Sequence, residues 1–338
     1  MCRDQGIDAA FACTKPTDEA LAGLGVQVLA NQGLAEWVQP GCVVGTTAWG
    51  FCRADLERQF DYLFVDEAGQ VSVANLVGMS GAAHNLVLIG DQMQLGQPTQ
   101  GTHPGESGLS TLDYLMGEQA TIAPERGIFL DTTARMHPAV NQFISAAVYE
   151  GRLQAAAGTE RQVVRVPAGY AGPLDREAGI VIVPVAHQGN SQASDEEVEA
   201  IAGLAAELLG RTVVDKHGAE RLGGWDDMLF VAPYNFQVNK LKARLARLPG
   251  GASAKVGSVD RFQGQEAAIV FVSMCSSDAN DAPHGLDFLF DTRRLNVAVS
   301  RAQSLAVVVM HPGLASTRVS TPEQMGKVNL LSRLYRGR

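Results

Sequence analysis

Residues 62 to 70 read YLFVDEAGQ, and a little further on the chain reads LVLIGDQMQL, residues 86 to 95. Each is an apolar run closed by an acid among small residues, the pattern of a strand that delivers a carboxylate to the carboxyl edge of a parallel sheet. Asp66 and Glu67 are the candidates for chemistry. One such carboxylate can hold Mg²⁺ through water while its neighbour orients and deprotonates the water that attacks a γ-phosphate. The usual companion is a glycine-rich loop, G-x-x-x-x-G-K-[ST], whose amides and lysine take the phosphates. The 338 residues contain no such loop, and Gly326-Lys327-Val328 has neither the place nor the following Ser or Thr that it requires. Taken alone, an Asp-Glu pair after a strand is more commonly an acidic helix start that favours the macrodipole.

The elements that must position these acids are legible as alternation. In the first region VQVLANQGLAEWV, CVVGTTAW, YLFVDE and NLVLIGD are flanked by Gly, Asp or Asn, with apolar runs too short for helices. Short continuous apolar strands indicate a parallel sheet covered on both faces. From Thr132 to Ala178 the pattern is mixed, with a helix expected at HPAVNQFISAAVYEG and then a Gly- and Pro-containing connector. A second series follows, with strands at 179–185, 228–234, 268–274 and 304–310 and helices at 195–210, 237–248 and 292–302. Ser194 and Glu197 form an S-x-x-E capping box, and Gly210 suits the end of the first of those helices. Strand-helix alternation of this kind predicts an α/β chain with doubly wound parallel sheets. The expected division is 1–140, a connector over 141–178, a second domain over 179–315, and a basic helical tail over 316–338.

Company changes the weight of each residue. GTTAWGF (45–51), DEAGQ (66–70), GDQMQL (90–95), ARMHP (134–138), PYNFQ (233–237), VGSVDRFQGQE (256–266) and LNVAVSRAQ (295–303) stand in order along the chain. Together they resemble the motifs of superfamily 1B helicases. The branch is the Upf-like and Dna-two-like one, which holds the nonsense-mediated-decay helicase and bacterial relatives, some fused to RecB-like nucleases.

That resemblance implies two RecA-like domains, with ATP and Mg²⁺ as cofactors, and single-stranded DNA or RNA as partner. Carried over position by position, Asp66 is the Mg²⁺ ligand and Glu67 the catalytic base. Gln94 senses the γ-phosphate and attacking water, and Arg135 and Arg301 are arginine fingers. Asp91, Gly264 and Glu266 belong to the nucleotide site, Glu266 meeting the sugar. Thr46, Thr47 and Ser258 hold phosphates of the single strand. Ala134 stands where an aromatic side chain normally stacks on the base, so that stacking is missing. Outside this company Gln94 reads as a turn residue, Arg301 as a surface arginine, and the three hydroxyls as strand-end residues. Trp49 and Phe51 are expected as packing residues. The resemblance starts close to the N-terminus with no room for the phosphate-loop strand, so the chain is expected to be the later part of a helicase core, with the first domain truncated and the fragment a poor ATPase. Its missing partner is then the N-terminal part of the same protein, with or without a nuclease domain. A non-catalytic nucleic-acid-binding or regulatory module derived from a helicase, and a protein-interaction domain on a helicase scaffold, are the other readings.

Composition narrows the rest. With 46% hydrophobic and 19% charged residues the chain can bury a core in each domain. Its net charge of −9 argues against a surface broadly coated for nucleic acid, though not against a narrow groove. Cys2, Cys13, Cys42, Cys52 and Cys275 are odd in number and never spaced C-x-x-C, so reduced thiols and no structural metal are expected. No run is long enough to span a membrane, and the first residues lack signal-peptide order, so a cytoplasmic location is expected. The chain is expected to be a monomer.

Overall fold

The computed structural model describes residues 5–13, 21, 23–97, 101, 103–117 and 119–336; Cys2 and the first residues of the chain lie outside them. Two compact units form, one from Met1–Gln92 with Gly96–Gln119 and one from Met93–Leu95 with Ala120–Arg338. Residues 141–178, read from the sequence as a connector, fall within the second unit, where the helix Pro138–Val148 that leads into them buries Val140, Ile144 and Val148.

In the first unit β1 (Ala9–Cys13) lies between β2 (Gln27–Ala30) and β3 (Val43–Thr46), all parallel. β4 (Phe60–Val65) and β5 (Ala83–Leu88) form a separate parallel pair. The short helices are α1 (Leu34–Trp37), α2 (Ala48–Phe51), α3 (Val73–Ser80) and α4 (Thr111–Met116). Ser72 and Ser110 cap α3 and α4 by accepting from the amides of Asn75 and Asp113. The pair β4–β5 departs from the expected two-sided cover. Leu63 and Val65 are buried, while Tyr62 and Phe64 on the opposite face are 58% and 64% exposed.

The second unit contains, in chain order, β6 (Thr132–Thr133), β7 (Gln154–Ala155), β8 (Val163–Val164), β9 (Gly179–Pro184), β10 (Thr212–Val214), β11 (Glu220–Leu222), β12 (Met228–Val231), β13 (Lys255–Gly257), β14 (Ala267–Ser273) and β15 (Ala302–Met310). Its helices are α5 (Pro138–Val148), α6 (Asp195–Leu208), α7 (Asn235–Leu245), α8 (Gly285–Leu289), α9 (Thr292–Ser300) and α10 (Pro322–Arg336). Five strands make one parallel sheet in the order β13-β12-β14-β15-β9. Successive residues point to opposite faces, so Leu229, Val231, Val270 and Val272 enter one core with α5 and α9. Phe230, Phe271, Val307 and Val309 enter the other with α6 and α7. Phe230 and Phe271 stack at 5.1 Å with ring planes 2° apart. A sheet covered on both faces is the doubly wound arrangement expected from the alternation. Strands β11, β10 and β8 make a small antiparallel sheet beside it. Among the described residues no helix is long and apolar enough to cross a membrane.

Candidate nucleotide site

In the first unit the acids stand where their strands end. The chain leaves β4 at Val65, and Asp66 and Glu67 follow at once, both exposed. The two strand ends are laced together, the Ala68 amide donating to the Ile89 carbonyl at 2.8 Å and the Ile89 amide to the Val65 carbonyl at 2.9 Å. They approach as bare backbone. A Cβ on Gly69 would lie 2.9 Å from the Asp91 carbonyl oxygen, and one on Gly90 would lie 2.8 Å from the Ala68 nitrogen. Only glycine fits at both positions, which accounts for one Gly in DEAGQ and one in GDQMQL. Glu67 itself has a φ of 52°, a left-handed conformation that costs a non-glycine residue about 1–3 kcal/mol. Its amide donates to Asp66 Oδ1 at 2.9 Å, and its Oε2 accepts from Gln70 Nε2 at 3.1 Å. Among the described residues the exposed Asp66 carboxylate has no partner at Oδ2, which fits a cation reached through water.

The second unit brings Gln94 and Arg301 together. Arg301, at the end of α9, is 2% exposed. Its Nε donates to the Val297 carbonyl at 3.1 Å, Nη1 to the Gln265 carbonyl at 3.3 Å, and Nη2 to Gln94 Oε1 at 3.3 Å. A buried guanidinium is tolerated only when such acceptors replace its water.

Arg135 is joined to Glu266. Its Nε donates to Glu266 Oε2 at 2.7 Å, and Gln303 Nε2 donates to Glu266 Oε1 at 2.9 Å, so the carboxylate is clamped from both sides. Burial pushes the Glu266 carboxyl up, but the hydrogen bonds from Arg135 and Gln303 and the Arg135 charge outweigh it and hold the group below its ordinary value. Gln162 Nε2 donates to the Arg135 carbonyl at 2.7 Å and fixes the backbone of the same residue. Ala134, next to it, is exposed. His137 caps α5 by accepting from the Ala139 amide through Nδ1 at 3.0 Å, and burial lowers its pKa, which keeps that nitrogen free to accept. Gly264 has a φ of 77°, a turn conformation suited to glycine just ahead of Glu266. Gln237 of PYNFQ is fully buried and structural: it accepts from the Ser194 amide at 2.9 Å and donates to Ser273 Oγ at 2.8 Å, tying the cap of α6 to the end of β14.

The hydroxyl positions differ among themselves. Thr46 Oγ1 donates to the Ala12 carbonyl at 2.8 Å, which commits its proton to the fold. Thr47 caps α2 by accepting from the Gly50 amide at 3.2 Å, so its own proton remains available to a phosphate oxygen. Ser258 follows β13 and is half-buried. Phe51 packs as expected, edge-on against Phe60 at 5.7 Å. Trp49 does not: it is 79% exposed. On one short helical turn, residues two apart point to nearly opposite sides, and Phe51 takes the inner one. Gln162 and Gln303 were not singled out from sequence. For Gln303 the signal was its place at the end of LNVAVSRAQ, a polar side chain at the start of a strand that is mostly apolar.

Two family models, each described as an AAA domain, match residues 26–100 and 109–312. The second alone spans more than half of the chain. The chain belongs to the AAA domain family. This AAA domain chain is 31% identical over 280 residues to the "Probable helicase MAGATAMA 3" of Arabidopsis thaliana, covering 80% of this chain and 32% of that protein. It is 28% identical over 265 residues to the "DNA polymerase alpha-associated DNA helicase A" of Saccharomyces cerevisiae, covering 74% of this chain and 38% of that protein. It is 27% identical over 268 residues to "Helicase SEN1" of the same yeast, covering 76% of this chain and 11% of that protein. The resemblance to superfamily 1 helicases of the Upf-like branch is therefore borne out. The chain spans only part of the length of these curated relatives, 32%, 38% and 11% in the order given. Among solved structures, that of an Arterivirus nonstructural protein 10 (helicase) with DNA aligns at a TM-score of 0.40 and 13% identity, covering 91% of this chain and 49% of that one.

Proposed function

We propose that this AAA domain chain is part of an ATP-dependent motor that moves 5′ to 3′ along single-stranded DNA or RNA and unwinds it. The observation that carries the reading is the buried Arg301 guanidinium held 3.3 Å from Gln94, each within its expected motif. Glu67 is the base that takes a proton from the attacking water, and its exposed carboxylate follows directly on the end of β4. Asp66 holds Mg²⁺ through water, and a bound Mg²⁺ supplies charge neutralisation for the β- and γ-phosphates. Gln94 orients the attacking water. Arg135 and Arg301 stabilise the charge that grows on the transferred group, a role worth about 10³–10⁵ in rate in related NTPases. Glu266 meets the sugar while fixing Arg135 through Nε, leaving the Nη edge of that guanidinium for phosphate oxygen. Thr47 and Ser258 donate to the single strand.

The phosphate-loop lysine is supplied from outside these 338 residues, so the chain by itself hydrolyses ATP at background. The test compares ATP turnover of this chain with that of a longer protein that includes a G-x-x-x-x-G-K-[ST] loop, each with and without single-stranded nucleic acid. Stimulated turnover in the longer protein alone is expected. Stimulated turnover in the 338-residue chain, or none in either, overturns the reading.

A further inference from the structure

An indole left 79% exposed on a small unit is unusual, because burying a tryptophan is among the larger apolar gains a chain can make. Trp49 is not exposed through looseness. On its N-terminal side Thr46 Oγ1 is bonded to the Ala12 carbonyl, and Thr47 caps the turn that carries Trp49. On its C-terminal side a Cβ on Gly50 would lie 2.1 Å from Thr46 Oγ1, so that residue is pressed flat against the strand end. Phe51 is then anchored edge-on to Phe60 at 5.7 Å. The turn is fixed on both sides of Trp49, with Gly50 buried, and the indole is held out from it. Two residues away, the Thr47 hydroxyl donates to no partner among the described residues, whereas Thr46 gives its proton to Ala12. A donor for phosphate oxygen beside a rigid, solvent-facing aromatic plane is the pairing that single-strand binders use, hydroxyls tracking the backbone and rings stacking on bases.

We propose that Trp49 is a stacking platform for one base of single-stranded nucleic acid, with Thr47 donating to the adjoining phosphate. The inference rests on the single-strand reading above and adds to it a contact to a base. Stacking is sequence-tolerant because every base has a π-face, so the site discriminates strands that carry bases from strands that do not. The platform comes ready-made, so the strand alone loses freedom on binding.

The test titrates the 338-residue protein with single-stranded oligothymidylate and with an abasic oligonucleotide of equal length, reading tryptophan fluorescence and labelled-strand anisotropy. The base-bearing strand should quench fluorescence and bind about tenfold more tightly than the abasic one, equivalent to about 1.4 kcal/mol. Trp49→Ala should bind both strands at the abasic level and lose the quenching, while Trp49→Phe should keep part of the preference. Circular dichroism melts, unchanged for an exposed side chain, confirm that the variants fold. If Trp49→Ala keeps the quenching or the preference for bases, the platform is elsewhere and the inference fails while the single-strand reading stands. If the unaltered protein binds neither strand, both fail.

Discussion

Arg301 Nη2 stands 3.3 Å from Gln94 Oε1, joining two motifs that lie 207 residues apart in the chain. With Val297 and Gln265 supplying carbonyls to the other nitrogens, the guanidinium is oriented before any ligand arrives. In the proposed role, preorganised charge of this kind would need no rearrangement as the reaction proceeds, which is where its effect on rate would come from. The arrangement also explains why a long cationic side chain is tolerated at 2% exposure, since its donors are met by acceptors in place of water.

Ala134 follows β6 beside Arg135 and is exposed. A methyl group offers a base no plane to stack on, and aromatic stacking is worth about 1–3 kcal/mol per base where it has been measured. In a protein that hydrolyses ATP, Ala134→Tyr should therefore tighten ATP binding about tenfold, or about 1.4 kcal/mol. The maximal rate should change little, because ground and transition states share the stacking. Equilibrium titration of ATP against both proteins checks this; unchanged or weakened affinity would place the base elsewhere.

Glu266 gives the fold a pH dependence. Its carboxyl is held below the ordinary value of 4.5, so the ionised form is favoured in the folded protein. The stability it contributes is full above 4.5 and is lost as the pH falls from there through the folded value. Glu266→Gln removes the ion pair with Arg135 while keeping the shape. The melting-temperature gap between the unaltered protein and this variant should be steady at neutral pH and close as the solution becomes more acid than 4.5. A gap that widens on acidification would contradict the depressed carboxyl.

The second sheet was legible because β9, β12, β14 and β15 are continuous apolar runs buried on both faces, a pattern that survives without knowledge of partners. β13 is three residues long, Lys-Val-Gly, and no periodicity can be read in so few. β1 was missed for a different reason. Its sequence AAFAC is mostly alanine, a residue depleted in strands, and it is a strand because both its neighbours pair with it. The chemistry-bearing residues could be named from motifs, but not what each one touches. Glu266 and Gln303 are 37 positions apart, and their contact follows from β14 and β15 being neighbours in the sheet. Trp49 and Phe51 are equivalent on paper; the Thr47 cap and the tight packing of Gly50 decide which one turns inward.

The central claim, that this chain supplies the charge-sensing half of an ATP-driven motor, is tested most directly through Arg301. In a protein that carries the phosphate loop, single-turnover ATP hydrolysis and ATP dissociation constants would be measured side by side for the unaltered protein and Arg301→Ala. The account predicts a fall in rate of about 10³-fold or more with affinity changed by much less, because the guanidinium is worth most where charge develops in the transition state. Equal losses of rate and affinity, or a rate left unchanged, would contradict it.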